Sequence, residues 1–180
     1  MQRWLLIVMT FYLFNIGTVY GFSMELVDKI DIKAIKSINF NKTETEFRAD
    51  VVVQFSTVAK TAMKFRQADF IIIFKDDKGK DIYLGTTHSD EILFPSSKNG
   101  TEKLIETKLD VYVGKNNLKT LTRLIELFNL IGNPNSEFTM ILSGTTEVGT
   151  KARRGWIYQG RIEIEDFAFH PTIQREVLFK

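Results

Sequence analysis

Apolar and polar positions alternate along most of this chain, and the alternation gives way once to a longer period. Phe47, Ala49, Val51, Val53 and Phe55 take every second position, with Arg48, Asp50 and Gln54 between them. A period of two marks a strand with one buried face. Ile30, Ile32, Ala34 or Ile35, Ile38 and Phe40 repeat it less regularly, which predicts a bulged strand. Phe65 and the run Phe70-Ile71-Ile72-Ile73-Phe74 predict a strand within 64–75. Asp76-Asp77-Lys78-Gly79-Lys80 supplies the turn of a hairpin, with 81–87 as its return strand. His88, within the polar stretch Thr86–Glu91, reads as part of a connection after the hairpin, and Ile92-Leu93-Phe94 stops at Pro95. In 104–113 the face made by Ile105, Thr107, Leu109, Val111 and Val113 is expected to be buried.

The period lengthens at 116–131. Leu118, Leu121, Leu124, Ile125, Leu127, Phe128 and Ile131 stand in i, i+3, i+4 and i+7 relations, which predicts an amphipathic helix. Asn116 or Asn117 can cap its start, and Gly132-Asn133-Pro134 stops it. Most of its broad apolar face is expected to cover the sheet, with a ligand groove beneath it as the competing reading. Alternation returns through Phe138, Met140 and Leu142, and again through Ile162, Ile164 and Phe167. About seven or eight strands and one late helix predict a mainly β protein, an immunoglobulin- or fibronectin-like antiparallel β-sandwich. Composition does not break between residues 22 and 180, so this stretch reads as a single domain.

Residues 1–21 read as an address. Arg3 precedes the apolar run Trp4–Phe14, and Val19-Tyr20-Gly21 ends in a small residue, the pattern of a cleaved secretory signal peptide. The competing reading is an N-terminal anchor formed by residues 4–20. Asn15 and Gly17 interrupt it, short of the ~20 apolar residues of a comfortable span. The expected location is therefore exported, periplasmic or secreted, with membrane anchoring as the variant. Two glycosylation sequons, Asn41-Lys42-Thr43 and Asn99-Gly100-Thr101, matter only in a host that glycosylates exported proteins.

Charge and composition remove several functions. The chain has 180 residues, with 24 Lys and Arg against 22 Asp and Glu, a net charge of +2. Removing residues 1–21 takes away only Arg3. That balance gives no expectation of a nucleic-acid partner. There is no Cys, which removes disulfides, thiolate metal sites and a cysteine nucleophile. With two His, little remains for a metal site. No glycine-rich phosphate loop occurs, and Leu142-Ser143-Gly144 lacks the glycine frame of a nucleophile turn. His88, among Thr86-Thr87-His88-Ser89-Asp90-Glu91, has carboxylates beside it, as a general base or weak metal ligand would. On a connection such neighbours need not converge, so the structural reading is preferred. Asp76–Lys80 lacks the repeated oxygen donors of a calcium loop. No catalytic residue, metal or cofactor is expected, and the chain is read as a non-enzyme.

What remains is surface. Lys151-Ala152-Arg153-Arg154-Gly155-Trp156 is the most basic cluster. Lys151, Arg153, Arg154 and Trp156 are candidate contacts for a partner or for anionic lipid headgroups, with a solvated loop and a core Trp as the plainer alternative. Val177, Leu178 and Phe179 in the tail are candidate contacts for another chain.

The order of elements resembles the late embryogenesis abundant type 2 family, also called the water-stress and hypersensitive-response (WHy) domain. The likeness runs through Ile30–Phe169. It includes Lys36–Phe40 followed by Ala49–Phe55, then Phe70–Phe74, Ile82-Tyr83-Leu84-Gly85 and the apolar-Pro step Ile92-Leu93-Phe94-Pro95. Strand Leu104–Val113, helix Leu118–Ile131 and Met140-Ile141-Leu142-Ser143-Gly144 follow in the family's order. The family's Asn-Pro-Asn after its second strand is replaced here by Ser56–Thr61, while Asn133-Pro134-Asn135 follows the helix. The resemblance implies a sandwich without an active site, exported in many bacterial members and linked to desiccation and stress tolerance. The leading expectation is a protein that binds or shields proteins or membranes. The alternative is a structural subunit of a cell-envelope assembly for secretion, motility or transport, and a carrier of apolar ligands or lipids ranks behind both.

Overall fold

A computed structural model describes residues 25, 27–133, 136–170, 172–173 and 177–179. The expected signal or anchor and Pro134 of the helix stop lie outside the described residues. From residue 30 on, the strands and the α-helix among the described residues follow in the order β1 (Ile30–Lys42), β2 (Glu46–Thr57), β3 (Met63–Asp76), β4 (Asp81–Phe94), β5 (Lys103–Lys115), α1 (Leu118–Gly132), β6 (Phe138–Ala152), β7 (Gly155–Phe169), β8 (Thr172–Ile173) and β9 (Val177–Phe179).

The strands form one sheet, in the order β7-β6-β3-β4-β5-β2-β1-β8, with β9 also on β1. β1 to β7 pair antiparallel. β8 and β9 add to β1 in parallel. The two layers expected of a sandwich are thus two arms of a single curled half-barrel. The arms join at β4 and β5, which pair only at Thr86 with Tyr112 and Thr87 with Val111. Gly85 makes that approach possible. A Cβ there would lie 2.3 Å from the Tyr112 carbonyl oxygen and 2.7 Å from Val111 Cγ1.

The inner face is the predicted one. Phe47, Ala49, Val51, Val53 and Phe55 of β2 are buried, as are Leu109, Val111 and Val113 of β5. β1 buries Ile30, Ile32, Ala34, Ile35, Ile38 and Phe40, and register shifts at 32–34 and 35–37 supply the expected bulging. Aromatic edges join the arms: Phe94 of β4 meets Phe55 of β2 with ring centroids 5.6 Å apart. Each such pair adds about 0.5–1.5 kcal/mol beyond its area.

One reading is corrected. His88, with the rest of Thr86–Glu91, lies in the middle of β4, not in a connection. Thr87 points inward and is buried, its hydroxyl donating to the Asp110 carbonyl at 2.8 Å. A polar residue at an inward position hides the period of two. A register shift opposite Ile72 and Ile73 then changes the phase, so that Leu84 and Gly85 are both buried. The Asp76–Lys80 segment is the predicted hairpin turn: the Asp76 carboxylate accepts from the backbone N–H groups of Lys78 at 3.0 Å and Lys80 at 2.7 Å.

Helix α1 starts at the predicted cap, where the Asn117 side chain accepts from the Thr120 N–H at 3.0 Å. Leu124, Leu127, Leu130 and Ile131 are buried, and Phe128 sets its ring edge-on to Phe40 at 5.0 Å. Arg123 fastens the helix to the sheet, donating to the Val113 carbonyl while its guanidinium lies 4.8 Å from the Tyr83 ring. Leu118, Leu121 and Ile125 face solvent. An apolar void of about 20 Å³ is lined by Val27, Ile30, Phe55, Phe65, Leu142 and Phe169 among others. It has room for about one water molecule.

The seam makes a sharp prediction. Gly85→Ala places a methyl against backbone and is expected to cost about 1–3 kcal/mol, as overpacking does. Gly132→Ala, with nothing within 4 Å of the added Cβ, is expected to leave stability unchanged or raise it by up to about 1 kcal/mol. Urea unfolding followed by circular dichroism checks both, and an unaffected Gly85→Ala midpoint contradicts the seam.

Candidate functional site

Every second connection of the antiparallel order falls at the same end of the half-barrel. These are the β2–β3 loop (58–62), the β4–β5 loop (95–102) and the β6–β7 hairpin turn (153–154), joined by the segment leading into β1. Backbone hydrogen bonds tie them together. The Val58 N–H donates to the Lys29 carbonyl at 3.2 Å, Ser97 to Ala59 at 2.7 Å and Lys151 to Ala62 at 2.9 Å. Ser97 is buried, and its hydroxyl donates to the Thr101 carbonyl, which closes the β4–β5 loop.

This end gathers positive charge. Across 25–33, 58–64, 91–104 and 150–157 there are nine Lys and Arg against five Asp and Glu, a net of +4. The carboxylates are mostly spent: Glu25 pairs with Lys29, Asp31 and Glu102 with Lys33, and Glu91 with Lys64 at 2.7 Å. Lys60, Lys98, Lys103, Lys151, Arg153 and Arg154 are exposed, and among the described residues no carboxylate pairs with them. At the opposite end, segments 42–46, 75–81, 114–126 and 133–138 hold seven basic and seven acidic residues.

Of the residues singled out in the sequence, Lys151, Arg153, Arg154 and Trp156 all lie at this basic end. Trp156 is half-buried and is not a core residue; the Lys64 and Lys151 ammonium groups sit 4.6 and 5.4 Å from its ring. Val177, Leu178 and Phe179 do not join it. Their backbone pairs with Ile38, Asn39 and Phe40 towards the other end. Sequence reading missed Lys60, Lys98 and Lys103, and with them exposed Val58, Leu93, Leu104 and Ile157, which share this end. Their signal was positional: each stands in or beside an alternate connection of an up-and-down strand order.

A second polar feature occupies the outer face near the seam. A cleft of about 610 Å³ is lined by Arg48, Asp69, Ile71, Thr86, His88, Asp110, Tyr112 and Thr145, among others. Gly144, whose absent Cβ leaves room for the Asp69 carbonyl, also lines it. Asp69 of β3 and His88 of β4 are cross-strand partners. His88 Nδ1 lies 2.6 Å from one Asp69 oxygen, Arg161 donates to the other, and His88 Nε2 lies 3.3 Å from Asp90. Arg161 Nε also donates to Thr145 at 2.8 Å. Arg48 grips Asp110 with two nitrogens, at 3.1 and 2.8 Å. Hydrogen bonds from Asp69, then Asp90, hold the His88 pKa above its ordinary value. His88 and then Arg161 hold that of Asp69 below its own. Among the described residues no group of His, Asp and Glu is placed to hold a metal ion, and no helix is long and apolar enough to cross a membrane.

No protein-family model matches the chain, and no curated protein does. Solved structures resemble it weakly, among them these three. A protein from Archaeoglobus fulgidus is 8% identical, covering 78% of this chain and 97% of its own, with a TM-score of 0.31. Northeast Structural Genomics Consortium target SoR45 is 11% identical, with coverages of 79% and 87% and a TM-score of 0.29. AT1g01470 from Arabidopsis thaliana is 14% identical, with coverages of 79% and 78% and a TM-score of 0.28. Likenesses at these scores carry no functional argument.

The outer-face cluster gives a titration test. The raised His88 pKa contributes stability that is full below the unfolded value of about 6.5 and is lost as pH rises through the folded value. The lowered Asp69 pKa contributes stability present above about 3.9 and lost as pH falls through its folded value. The cluster is therefore fully stabilising only between the two unfolded-state values, about 3.9 and about 6.5, and its contribution falls off on either side as each group passes through its folded-state midpoint. NMR of the His88 ring is expected to show a midpoint above 6.5 that falls on Asp69→Asn; an unmoved midpoint contradicts the pairing.

Proposed function

We propose that this chain is a non-enzymatic, exported protein of the late embryogenesis abundant type 2 kind, which binds and shields proteins or membranes under desiccation or related stress. The half-barrel is then that family's sandwich, its two arms standing as the two layers. The observation that carries this reading is the element order. The paired strands β1 and β2, the hairpin β3–β4, strand β5, helix α1 and strand β6 succeed one another as the resemblance calls for. The exposed stripe Leu118, Leu121 and Ile125 on α1 offers apolar surface of the kind a client's own exposed patches would meet.

One observation favours a second reading, a subunit of an envelope assembly. β7 is a 15-residue strand at the edge of the sheet, hydrogen-bonded on one side to β6. Such an edge can take up a strand from another chain.

The test is protection of a freeze- and drying-sensitive dehydrogenase by the full chain. More activity is expected to survive than with an equal mass of serum albumin, and Leu118→Ser with Ile125→Ser is expected to reduce the difference. Survival equal to the albumin control counts against the shielding reading. A stoichiometric strand-donating partner captured from solubilised envelopes supports the second.

A further inference from the structure

We infer that the basic end of the half-barrel is a docking face for an anionic lipid bilayer. The proposal does not depend on the stress-protection reading. It rests on three observations that meet at one end of the fold.

The first is charge without carboxylate partners among the described residues. Lys60, Lys98, Lys103, Lys151, Arg153 and Arg154 stand in or beside three connections that backbone hydrogen bonds hold together. The neighbouring acids Glu25, Asp31, Glu91 and Glu102 are already paired, which leaves Asp28 as the one acid there without an ion pair among the described residues. The opposite end is balanced. The molecule is thus electrically polar along its barrel axis although the whole chain carries only +2. An anionic leaflet attracts each nearby cation strongly enough to tighten binding by about fivefold.

The second is apolar surface among those cations. Val58, Leu93, Leu104 and Ile157 are 44, 49, 54 and 58% exposed. Trp156 stands half-buried between the Lys64 and Lys151 ammonium groups. Aliphatic side chains and an indole beside Lys and Arg suit the boundary where headgroups meet acyl chains. A phosphate backbone would use the cations and leave the aliphatics in water.

The third is continuity of the chain. The segment entering β1 reaches this end at Lys29, which accepts from Val58, and the apolar stretch Trp4–Phe14 lies upstream of it in sequence. The chain therefore enters the described part of the domain on its basic side.

The experiment uses the full chain with Trp4→Phe, which leaves Trp156 as its single tryptophan. Flotation compares vesicles of phosphatidylcholine with about one-third phosphatidylglycerol against phosphatidylcholine alone. The expected result is preferential binding to the anionic vesicles, weakened by salt. It comes with a blue shift of Trp156 emission and its quenching by brominated acyl chains. Lys103→Glu with Arg153→Glu and Arg154→Glu is expected to weaken binding to the anionic vesicles at least about tenfold with an unchanged circular dichroism spectrum. Should that variant misfold, Lys60→Glu with Lys98→Glu tests the same face from other loops. Equal binding to both vesicles overturns the proposal, because the apolar N-terminal stretch would then account for it. Binding without a Trp156 shift, charge reversal without effect, or a preference for duplex DNA over anionic vesicles overturns it as well.

Discussion

A single sheet can hide its apolar face from water only by curling until its two arms meet, and this protein depends on that closure. The seam between β4 and β5 carries it with two residue pairs, Thr86 with Tyr112 and Thr87 with Val111. So few backbone bonds suffice because the force that closes the arms is burial. Phe94 meets Phe55 across them at 5.6 Å and is backed on its own arm by Phe65 at 4.9 Å. Gly85 is the place where backbone comes closest to backbone, and the Thr87 hydroxyl satisfies a carbonyl where the ladder runs out. Curling leaves the barrel open at its ends. Helix α1 covers one of them, and its inward face is apolar because it completes the core there.

Closure also sorts the polar residues. With the inner face given to the core, charge must sit on the outer face or at the ends. On the outer face it is paired across strands: Arg48 with Asp110, Lys108 with Asp50, Asp69 with His88 and Arg161. Exposed pairs of this kind add little stability each, but they leave the flank of the barrel locally neutral. At the basic end the cations outnumber the acids, and among the described residues six of the nine have no carboxylate partner. A nearly neutral chain therefore acquires a direction, which a count of its charges does not reveal.

The strongest sequence patterns and the structure agree closely. The 46–55 alternation is β2 with its predicted face inward, and the change of period at 116 is α1, beginning at the predicted Asn117 cap. The failure at Thr86–Glu91 has a definite cause. An inward threonine and a change of phase at Leu84 and Gly85 erased the alternation on which the reading relied. His88 shows the same limit from the side of chemistry. Its carboxylate neighbours in sequence are Asp90 and Glu91, while the closer partner in space is Asp69, nineteen positions away on the adjacent strand. The basic end was half legible: Lys151, Arg153, Arg154 and Trp156 are contiguous enough to be noticed, whereas Lys60, Lys98 and Lys103 are scattered over residues 60–103.

What the sequence determined by itself was local: the face that β2 and β5 bury, the bulged course of β1 and where helix α1 begins. Burial imposes a period of 2 or 3.6 on consecutive side chains, and that period is written in neighbouring residues. Tertiary structure alone decided that the strands make one curled sheet and not two layers, that Asp69, His88 and Arg161 meet, and that three separate loops pool their cations at one end. Each of these depends on strand partners and registers fixed by long-range closure of the core, which no short window of sequence contains.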